Sequence, residues 1–390
     1  MGYMTDERLM IKETAAQFTD DVVIPIANKL DPEKGMMPRE LLDQMAEMGF
    51  FGIRAPAKYG GSEMGAFEYC LIAEELSRGW MSVASVIARS AYTLIENIPG
   101  WSEAKKQDYC ERSVAGDFLV AMALSEPNTG SDLASISCKA TREGDEFVLS
   151  GSKYWCTFAD GADAIIVYAR TAEPSNPKRR HEGISCFLVE KPRGALPENC
   201  DGHSIPKIGY FGWNTYELAF DGCRVPAENM VGEEGKAFAS LASGLEVARA
   251  HTASRSIGAA QAALDVAIQY SHDRVQFERP ISEFQDIRFK IAKMASEIEA
   301  ARQLNYYVCD QIDQGGRCDK EASMIKWYAS EMAERVTSDA LQILGGAGYT
   351  QHFPVERYWR DARLTKIFEG TSEIQLRIIS DQILGKPKFS

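Results

Sequence analysis

No Cys-x-x-Cys pair occurs among the nine cysteines of this 390-residue chain, and its five histidines are scattered along it. Metal centres built from thiolate and imidazole ligands need these residues at close, regular spacings, so we expect no metal site. The odd number of cysteines in a chain of this length also argues against a disulfide framework. We therefore expect reduced, mostly buried thiols in a reducing compartment.

The sequence also lacks a surplus of basic residues and any long apolar run. Its formal charge is −13, whereas binding to nucleic-acid phosphates needs clustered lysine and arginine. No stretch approaches the ~18 apolar residues of a membrane-spanning helix. The first residues, from Met1 to Glu13, alternate charged and apolar side chains and lack the apolar core of a signal peptide. These absences predict a soluble, cytoplasmic protein that binds neither nucleic acid nor membrane.

Glycine-rich phosphate loops are absent too, both G-x-G-x-x-G after a predicted strand and G-x-x-x-x-G-K-[S/T]. Helical spacing of apolar residues dominates residues 1–118, short β-rich runs fill residues 119–228, and long helical periodicity returns in residues 229–390. Because the strands follow one another without intervening helices, an antiparallel sheet or barrel is expected. The predicted fold is α+β and mostly α, with an N-terminal helical domain, a middle antiparallel β domain and a C-terminal four-helix bundle.

Four segments in this order along the chain carry a resemblance to a known family. They are SEPNTGSD from Ser125, RVQFERPISEFQ from Arg274, QILGGAGY from Gln342, and the stretch from Arg360 that contains RDA and IFEGTSEIQ. Together they resemble the signatures of the acyl-CoA dehydrogenases, which oxidise the Cα–Cβ bond of a CoA thioester. The resemblance covers essentially the whole chain. It implies an acyl-CoA dehydrogenase-like fold, non-covalent FAD, an acyl-CoA substrate, electron-transferring flavoprotein as partner, and a homotetramer.

The resemblance assigns FAD contacts to residues in several of these segments. Ser131 and Arg274 match positions that hold the flavin pyrophosphate, and Arg274 is inferred to reach the FAD of a neighbouring subunit. Ser125 and Thr157 match positions that place hydroxyls against the flavin ring, and Trp155 matches the aromatic that packs over it. Taken singly, Ser131 is equally a turn cap and Arg274 a solvated helix residue. The other positions implied to contact FAD are Gly130, Phe277, Gln285, Gln342, Gly345, Gly346, Thr371 and Glu373.

Glu369 is the residue that the resemblance assigns as the catalytic base. Removing a proton α to a thioester carbonyl requires a positioned base and stabilisation of the developing enolate. In the family, the glutamate before Gly-Thr is the base, and its backbone N–H, with a ribityl hydroxyl of FAD, binds the thioester oxygen. Gly370 then gives the loop freedom to present the carboxylate. We expect an apolar, water-excluded pocket to raise the pKa of Glu369.

Some branches of the family carry the base on the first long helix of the C-terminal bundle, at the position of Ala248. Alanine cannot accept a proton, which leaves Glu369 as the candidate base. On the same helix, Glu246 and Arg249 match positions that hold the substrate's CoA portion, as Gly370 does beside the base. Without the resemblance, Glu246 and Arg249 have the i,i+3 spacing of a surface ion pair.

The acyl pocket is expected between residues 84–90 and the helix that carries Ala248. Arg255 shares the face of Ala248 on that helix, and Arg89 interrupts an otherwise apolar segment. One or two arginines beside a closed pocket would suit a substrate with a distal carboxylate, because a buried cation needs an anionic partner. Both arginines also fit structural roles, on a helix surface or at a subunit interface. The bulky Trp80 would equally suit a short, branched or aromatic acyl chain.

The chain departs from the family pattern at two places. Phe158-Ala159 follow Thr157, where Asn-Gly or Asn-Ala is usual, and Glu278 replaces the usual glycine after Gln-Phe. Both changes are expected to affect packing around the flavin or the subunit contact. Two other functions remain as alternatives. One is a flavin oxidase on the same scaffold, whose base is usually aspartate, and the other is a flavin-containing DNA-binding relative, which the charge of −13 disfavours.

Overall fold

The computed structural model describes residues 2–176, 178–238 and 244–387. Its N-terminal region is helical, and side-chain caps begin two of its helices. Thr5 accepts a hydrogen bond from the Arg8 N–H at 3.2 Å, and Ser102 accepts one from Lys105 at 3.2 Å. The helices are α1 (Asp6–Phe18), α2 (Ile24–Leu30), α3 (Arg39–Glu47), α4 (Ala66–Gly79), α5 (Met81–Val86), α6 (Tyr92–Glu96) and α7 (Glu103–Val114).

A β-sheet follows these helices and shares a hydrophobic core with them. Its strands are β1 (Val120–Ala123), β2 (Lys139–Glu143), β3 (Glu146–Thr157), β4 (Ala164–Arg170), β5 (Ile184–Glu190), β6 (Cys200–Ser204), β7 (Thr215–Pro226) and β8 (Met230–Val231). The main path through the sheet is β6-β7-β3-β2-β4-β5-β8, with β1 beside β4. Most neighbours are antiparallel, as predicted.

Two pairings in the sheet are parallel, and both are made with β4, one by β1 and one by β2. Val120 to Ala123 pair with Ala164 to Val167, and Lys139 pairs further along β4 with Arg170. The chain therefore leaves the edge of β4 after Ala123 and returns to it at Lys139. Residues 124–138, which contain SEPNTGSD, form the excursion between the two strands. Strand periodicity could not reveal this crossover.

The C-terminal region is a helical bundle. Its elements are α8 (Leu245–Asp273), β9 (Val275–Gln276), β10 (Arg279–Pro280), α9 (Gln285–Asp313), α10 (Asp319–Leu344), α11 (Val355–Thr365) and α12 (Ser372–Leu384). Three helices are long, and the shorter α11 and α12 complete the bundle in place of a fourth long one. Gly345, with a φ of 59°, ends α10 before the turn that leads to α11. The predicted α–β–α organisation is confirmed.

Close packing of α8 on α4 fixes the face that α8 presents to the interior. A Cβ at Gly258 would lie 2.1 Å from the Glu74 carbonyl oxygen, so only glycine permits this crossing. Ser77 Oγ donates to the Arg255 carbonyl at 2.6 Å, and the ring Nε2 of His251 lies 3.0 Å from the Ala84 carbonyl. These contacts turn one face of α8 towards α5.

The interior contains no cross-links. All nine cysteines are buried and free. Within the described parts of the chain, no helix combines the length and the apolarity needed to cross a bilayer. In the same residues, no three His, Cys, Asp or Glu side chains gather where they could hold a metal ion.

Candidate active site

A short loop between α11 and α12 presents Glu369. Glu369 and Gly370 adopt positive φ angles of 53° and 89°, which reverse the chain within two residues. Position 370 requires glycine, because the φ is unfavourable for other residues and a Cβ there would lie 2.4 Å from Gln375 Nε2. Thr371 then caps α12 by accepting a hydrogen bond from the Ile374 N–H at 3.3 Å. The strained residue is thus the predicted base itself, a pattern typical of functional positions.

Two side chains hold this loop in place by donating hydrogen bonds to the Gly370 carbonyl. Lys326 Nζ on α10 lies 2.5 Å from the Gly370 oxygen, and Gln375 Nε2 lies 3.1 Å from it. The Lys326 side chain is completely buried, and this burial lowers the pKa of Lys326 to about 8. A buried amine therefore holds the backbone next to the predicted base. The sequence motifs did not indicate Lys326, since it lies 43 residues before Glu369.

The Glu369 carboxylate is bound by two side chains of α8. Its Oε1 accepts a hydrogen bond from Arg255 Nη2 at 2.7 Å, and its Oε2 accepts one from the Thr252 hydroxyl. Arg255 is 1% exposed and donates also to Ser85 Oγ at 2.7 Å and to Thr252 Oγ1 at 2.9 Å. Arg255 therefore does not lie on an open surface. It pairs with the predicted base.

This pairing reverses the expected shift in the pKa of Glu369. Burial is the largest single effect and raises the pKa, but the charge of Arg255 and the hydrogen bonds from Thr252 and Arg255 act against it, and the pKa of Glu369 is lowered to about 2. His251 adds little at neutral pH, because burial and then Arg255 lower its pKa to about 3 and leave the ring uncharged. The Glu369 side chain is 37% exposed, so water in the pocket screens the attraction. The expectation of a raised pKa for Glu369 was wrong, since it did not include the charge of Arg255.

Ala248 lies next to this group. Its carbonyl accepts a hydrogen bond from the Thr252 hydroxyl at 2.9 Å, which places it one helical turn from the residue that contacts Glu369. The two base positions known in the family therefore converge on one region of this chain. Only Glu369 supplies a carboxylate there.

An aromatic row extends from Glu369 towards Arg89. The Phe368 and Tyr210 rings lie 5.7 Å apart, and Tyr210 and Trp213 lie 5.2 Å apart. The Arg255 guanidinium lies 4.8 Å from the Phe368 ring, and that of Arg89 lies 5.1 Å from the Trp213 ring. The two arginines of the predicted acyl pocket thus lie at the two ends of the row. Trp80, the third residue expected there, is completely buried.

Glu246 and Arg249 lie where α8 meets the start of α10. Glu246 Oε1 accepts a hydrogen bond from the Cys318 N–H at 2.9 Å, and Arg249 Nη1 lies 3.7 Å from Asp319 Oδ1. Arg249 is 6% exposed, and its Nη1 has no hydrogen-bond partner among the described residues. The two residues therefore do not form the surface i,i+3 pair that their spacing allows. A buried guanidinium nitrogen that makes no hydrogen bond can donate one to an anionic or carbonyl group of a ligand.

Most residues expected to hold FAD fall into two regions of the chain, and Thr371 and Glu373 lie apart from both, at the start of α12. In the β domain, the Ser125 carbonyl accepts a hydrogen bond from the Tyr154 N–H at 2.8 Å, so the SEPNTGSD loop lies beside the end of β3. Trp155 is 57% exposed with a φ of 64°, and Thr157 Oγ1 lies 3.0 Å from Thr215 Oγ1. Gly130 and Ser131 are exposed. This open face, with its exposed indole and hydroxyls, fits an aromatic cofactor that carries phosphates.

Glu126, inside the same motif, is the anchor of this loop. It is 6% exposed and accepts hydrogen bonds from Lys153 Nζ at 2.9 Å and from the N–H groups of Ser137 and Cys138 at 2.7 and 2.9 Å. The carboxylate thus joins the start of the loop, its end and β3. Sequence reasoning assigned Glu126 no role. The available signal for Glu126 was an acidic residue placed between a predicted strand and the Pro-Asn of the SEPNTGSD segment.

The second group lies at the far end of the bundle. Arg274, Phe277 and Gln285 surround the β9–β10 turn, and Gln342, Gly345 and Gly346 end α10, all of them exposed. Phe277 is 87% exposed, and Phe277 and Glu278 both have positive φ angles, of 50° and 65°. Arg274 lies about 33 Å along α8 from Thr252. This second group therefore lies well away from the Glu369 carboxylate, which Thr252 contacts. Glu373 is exposed in the first turn of α12.

Sequence models of three domains match successive parts of the chain. They are the acyl-CoA dehydrogenase N-terminal domain over residues 5–117, the middle domain over residues 121–223 and the C-terminal domain over residues 235–384. The chain belongs to the acyl-CoA dehydrogenase family. The protein is therefore an oxidoreductase that acts on the CH–CH group of an acyl-CoA, and its family is FAD-dependent.

Individual members of the acyl-CoA dehydrogenase family are similar over nearly the whole chain. An acyl-CoA dehydrogenase of Bacillus subtilis is 39% identical over 98% of this chain and 99% of the relative. A (2S)-methylsuccinyl-CoA dehydrogenase of Cereibacter sphaeroides is 38% identical over 97% of this chain and 70% of the relative. Among solved structures, a glutaryl-CoA dehydrogenase of Mycobacterium smegmatis in complex with FADH2 has a TM-score of 0.90 at 26% identity, over 100% of this chain and 97% of that chain.

Proposed function

We propose that this acyl-CoA dehydrogenase converts an acyl-CoA to a 2-enoyl-CoA with Glu369 as the base. Glu369 takes the proton from the α-carbon, and the β-carbon loses a hydride, so that the Cα–Cβ single bond becomes a double bond. FAD, when bound, supplies the acceptor for the hydride. The observation that carries the proposal is the exposed Glu369 carboxylate on its positive-φ loop, beside the α8 face of Ala248.

The same loop offers a donor to the substrate carbonyl. Among the described residues, no hydrogen bond uses the Glu369 N–H, whereas the neighbouring Phe368 N–H is bound to the Leu364 carbonyl. A free N–H next to the base can bind the thioester oxygen and stabilise the enolate that forms when the α-proton leaves. Glu246, Arg249 and the Gly370 region would bind the remainder of the CoA thioester.

The cofactor assignments are part of this proposal. Ser125, Gly130, Ser131, Trp155 and Thr157 would hold the flavin of their own chain. The exposed residues of the β9–β10 turn and of the end of α10 would reach FAD in a neighbouring subunit of a homotetramer. Thr371 and Glu373 would lie near the flavin beside the base. The expected electron acceptor is electron-transferring flavoprotein, which the family resemblance implies.

The test is anaerobic reduction of the bound flavin by a panel of acyl-CoA thioesters. Wild-type protein should purify yellow with one FAD per chain, and its flavin should be bleached by at least one thioester. Glu369→Gln should retain FAD but reduce it roughly 10²–10⁴-fold more slowly, because glutamine cannot accept the proton.

The matched control is Glu297→Gln, because Glu297 is also 37% exposed and pairs with Arg335 at 2.8 Å. It should leave the reduction rate unchanged. Wild-type rates in Glu369→Gln would refute the assignment of the base. Rapid reoxidation of the reduced flavin by oxygen would instead favour a flavin oxidase.

A further inference from the structure

The charges around the acyl pocket are unbalanced. Arg255 is 1% exposed, and Glu369 is its one anionic partner among the described residues. Arg89 forms no ion pair with a described residue, and its buried Nε has no hydrogen-bond acceptor there. Both arginines act on Tyr210 and on His251. They oppose the rise that burial causes in the pKa of Tyr210, and they add to the fall that burial causes in the pKa of His251. Two guanidinium groups thus flank one aromatic row, and among the described residues Glu369 is the one carboxylate that pairs with either of them.

The Glu369 carboxylate is also the group that must separate from Arg255 before it can accept the α-proton. A base that accepts the α-proton has to approach the α-carbon and must not be neutralised by a hydrogen-bonded cation. Withdrawing Glu369 from Arg255 would leave a fully buried guanidinium without an anion, which is strongly unfavourable. A second anion is therefore needed at Arg255 at the moment when Glu369 turns to the substrate.

We infer that the substrate supplies this anion: the pocket takes a short dicarboxylic acyl-CoA, and its distal carboxylate replaces Glu369 as the partner of Arg255. The inference rests on the proposed role of Glu369 as the base. The exchange couples recognition to chemistry, because the base is released only when a carboxylate occupies its place. Arg89, at the other end of the aromatic row, adds a second positive charge to the pocket.

The geometry limits the length of the acyl chain. Arg255 Nη2 and Glu369 Oε1 are 2.7 Å apart, and a working base lies within about 3 Å of the proton that it removes. The distal carboxylate must therefore lie close to the α-carbon. With C–C bonds of about 1.5 Å, a carboxyl carbon two or three bonds away is about 2.5–3.9 Å from the α-carbon. Succinyl and glutaryl frameworks, with or without a methyl branch, meet this limit.

The first experiment measures binding without turnover. Analogues with sulfur at the β-position have no β-hydrogen to lose, so 3-thiaglutaryl-CoA and its neutral counterpart 3-thiapentanoyl-CoA can be titrated into the FAD-loaded enzyme. Glu369→Gln should bind 3-thiaglutaryl-CoA about 10-fold more tightly than wild type, because the competing carboxylate has been removed. Its affinity for 3-thiapentanoyl-CoA should change by no more than about 2-fold. Equal changes for the two analogues, or no change for either, would overturn the exchange.

The second experiment removes the cation. Arg255→Gln keeps hydrogen bonds to Ser85 and Thr252 within reach and should weaken 3-thiaglutaryl-CoA about 10–100-fold, with little effect on the neutral analogue. Arg89→Gln should weaken the dicarboxylic analogue by less. If Arg255→Gln fails to fold, the Glu369→Gln titration still decides the matter. An equal loss for both analogues in a folded Arg255→Gln protein would assign Arg255 to structure alone.

Turnover distinguishes failure of this inference from failure of the proposed function. Reduction of the flavin by pentanoyl-CoA as fast as by glutaryl-CoA would refute the dicarboxylic specificity and leave Glu369 as the base. Absence of reduction by every acyl-CoA, in protein loaded with FAD, would refute the proposed function as well.

Discussion

Replacing Lys326 by methionine should slow catalysis without weakening the fold. Lys326 is completely buried, and its ammonium group donates to the Gly370 carbonyl at 2.5 Å. Burial lowers its pKa from 10.5 to about 8. At 1.36 kcal/mol for each pKa unit, keeping this lysine charged at neutral pH costs on the order of 3 kcal/mol of stability.

Methionine has a similar length and fills the same space with an apolar chain. The Gly370 carbonyl would keep its hydrogen bond from Gln375 Nε2 at 3.1 Å, so no buried acceptor would be left unpaired. Exchanging a buried charge for a well-packed apolar group removes the cost of keeping that charge out of water. We therefore expect the free energy of unfolding of Lys326→Met to equal or exceed that of wild type.

Catalysis should respond in the opposite direction. The amine fixes the carbonyl of the residue that follows Glu369, and Glu369 itself is held at a φ of 53°. A misplacement of about 1 Å in a catalytic group can cost roughly 10²-fold in rate. The rate of flavin reduction in Lys326→Met should fall about 10–100-fold, while retention of FAD should not change.

Denaturant unfolding and stopped-flow flavin reduction measure the two effects separately. Lys320→Met is the control, because Lys320 lies on the same helix, is 38% exposed and pairs with Glu321. The pH dependence gives a third observable. Since the unfolded lysine binds a proton up to pH 10.5 and the folded one only up to about 8, wild type should gain stability relative to Lys326→Met between these pH values. A Lys326→Met protein that is less stable by several kcal/mol but reduces its flavin at the normal rate would refute this reasoning.

Three further predictions follow from other sites. Arg274→Ala should weaken both the retention of FAD and the oligomer, because a lost charged contact costs about 1.5–3 kcal/mol. Dilution and size-exclusion chromatography measure the two effects, and unchanged retention of FAD would make Arg274 a solvated residue. Lys153→Met should lower the free energy of unfolding by about 3–5 kcal/mol, since Glu126 would keep its charge without a cation, and equal denaturation midpoints would contradict this. Burial, with the charge of Asp31, raises the pKa of Asp361 to about 7, so wild type should lose stability relative to Asp361→Asn as the pH rises from about 4 to 7.

The parts of the site that sequence could predict are those built from neighbouring residues. Glu369, Gly370 and Thr371 are adjacent, and the positive φ angles of the first two and the helix cap made by the third depend on the local chain alone. At Ala248 the residue type alone excluded a catalytic base, because alanine cannot accept a proton. The order of helical and β-rich regions was also visible, because periodicity is a local property.

Contacts between distant residues could not be predicted in the same way. Arg255 was recognised as a pocket candidate, but its partner lies 114 positions away, and the direction of the pKa shift of Glu369 depends on that partner. Lys326 and Glu126 were missed because a buried charge is recognised by what surrounds it. The parallel pairing of β1 with β4 was missed for a related reason, since strand periodicity does not specify which strands become neighbours.

Two cation–carboxylate pairs, each with a buried cation, illustrate how a structural pair differs from one that can exchange. Glu126 is 5% exposed at its side chain, and two backbone N–H groups and the Ser137 hydroxyl bind it in addition to Lys153. Moving it would leave several donors unpaired at once. Glu369 is 37% exposed, and besides Arg255 only the Thr252 hydroxyl binds its carboxylate among the described residues.

The cost of separating each pair follows from these differences. Glu126 would have to give up two backbone donors, the Ser137 hydroxyl and Lys153 at once, so its pair with Lys153 holds the loop in place. Glu369 would give up one hydroxyl and one guanidinium, and an incoming carboxylate can satisfy that guanidinium. Because Arg255 is the fully buried member and Glu369 the accessible one, the cation stays in place and the anion is the part that changes. This asymmetry is what would allow one arginine to hold the proposed base in the free enzyme and to bind the proposed dicarboxylic substrate in the complex.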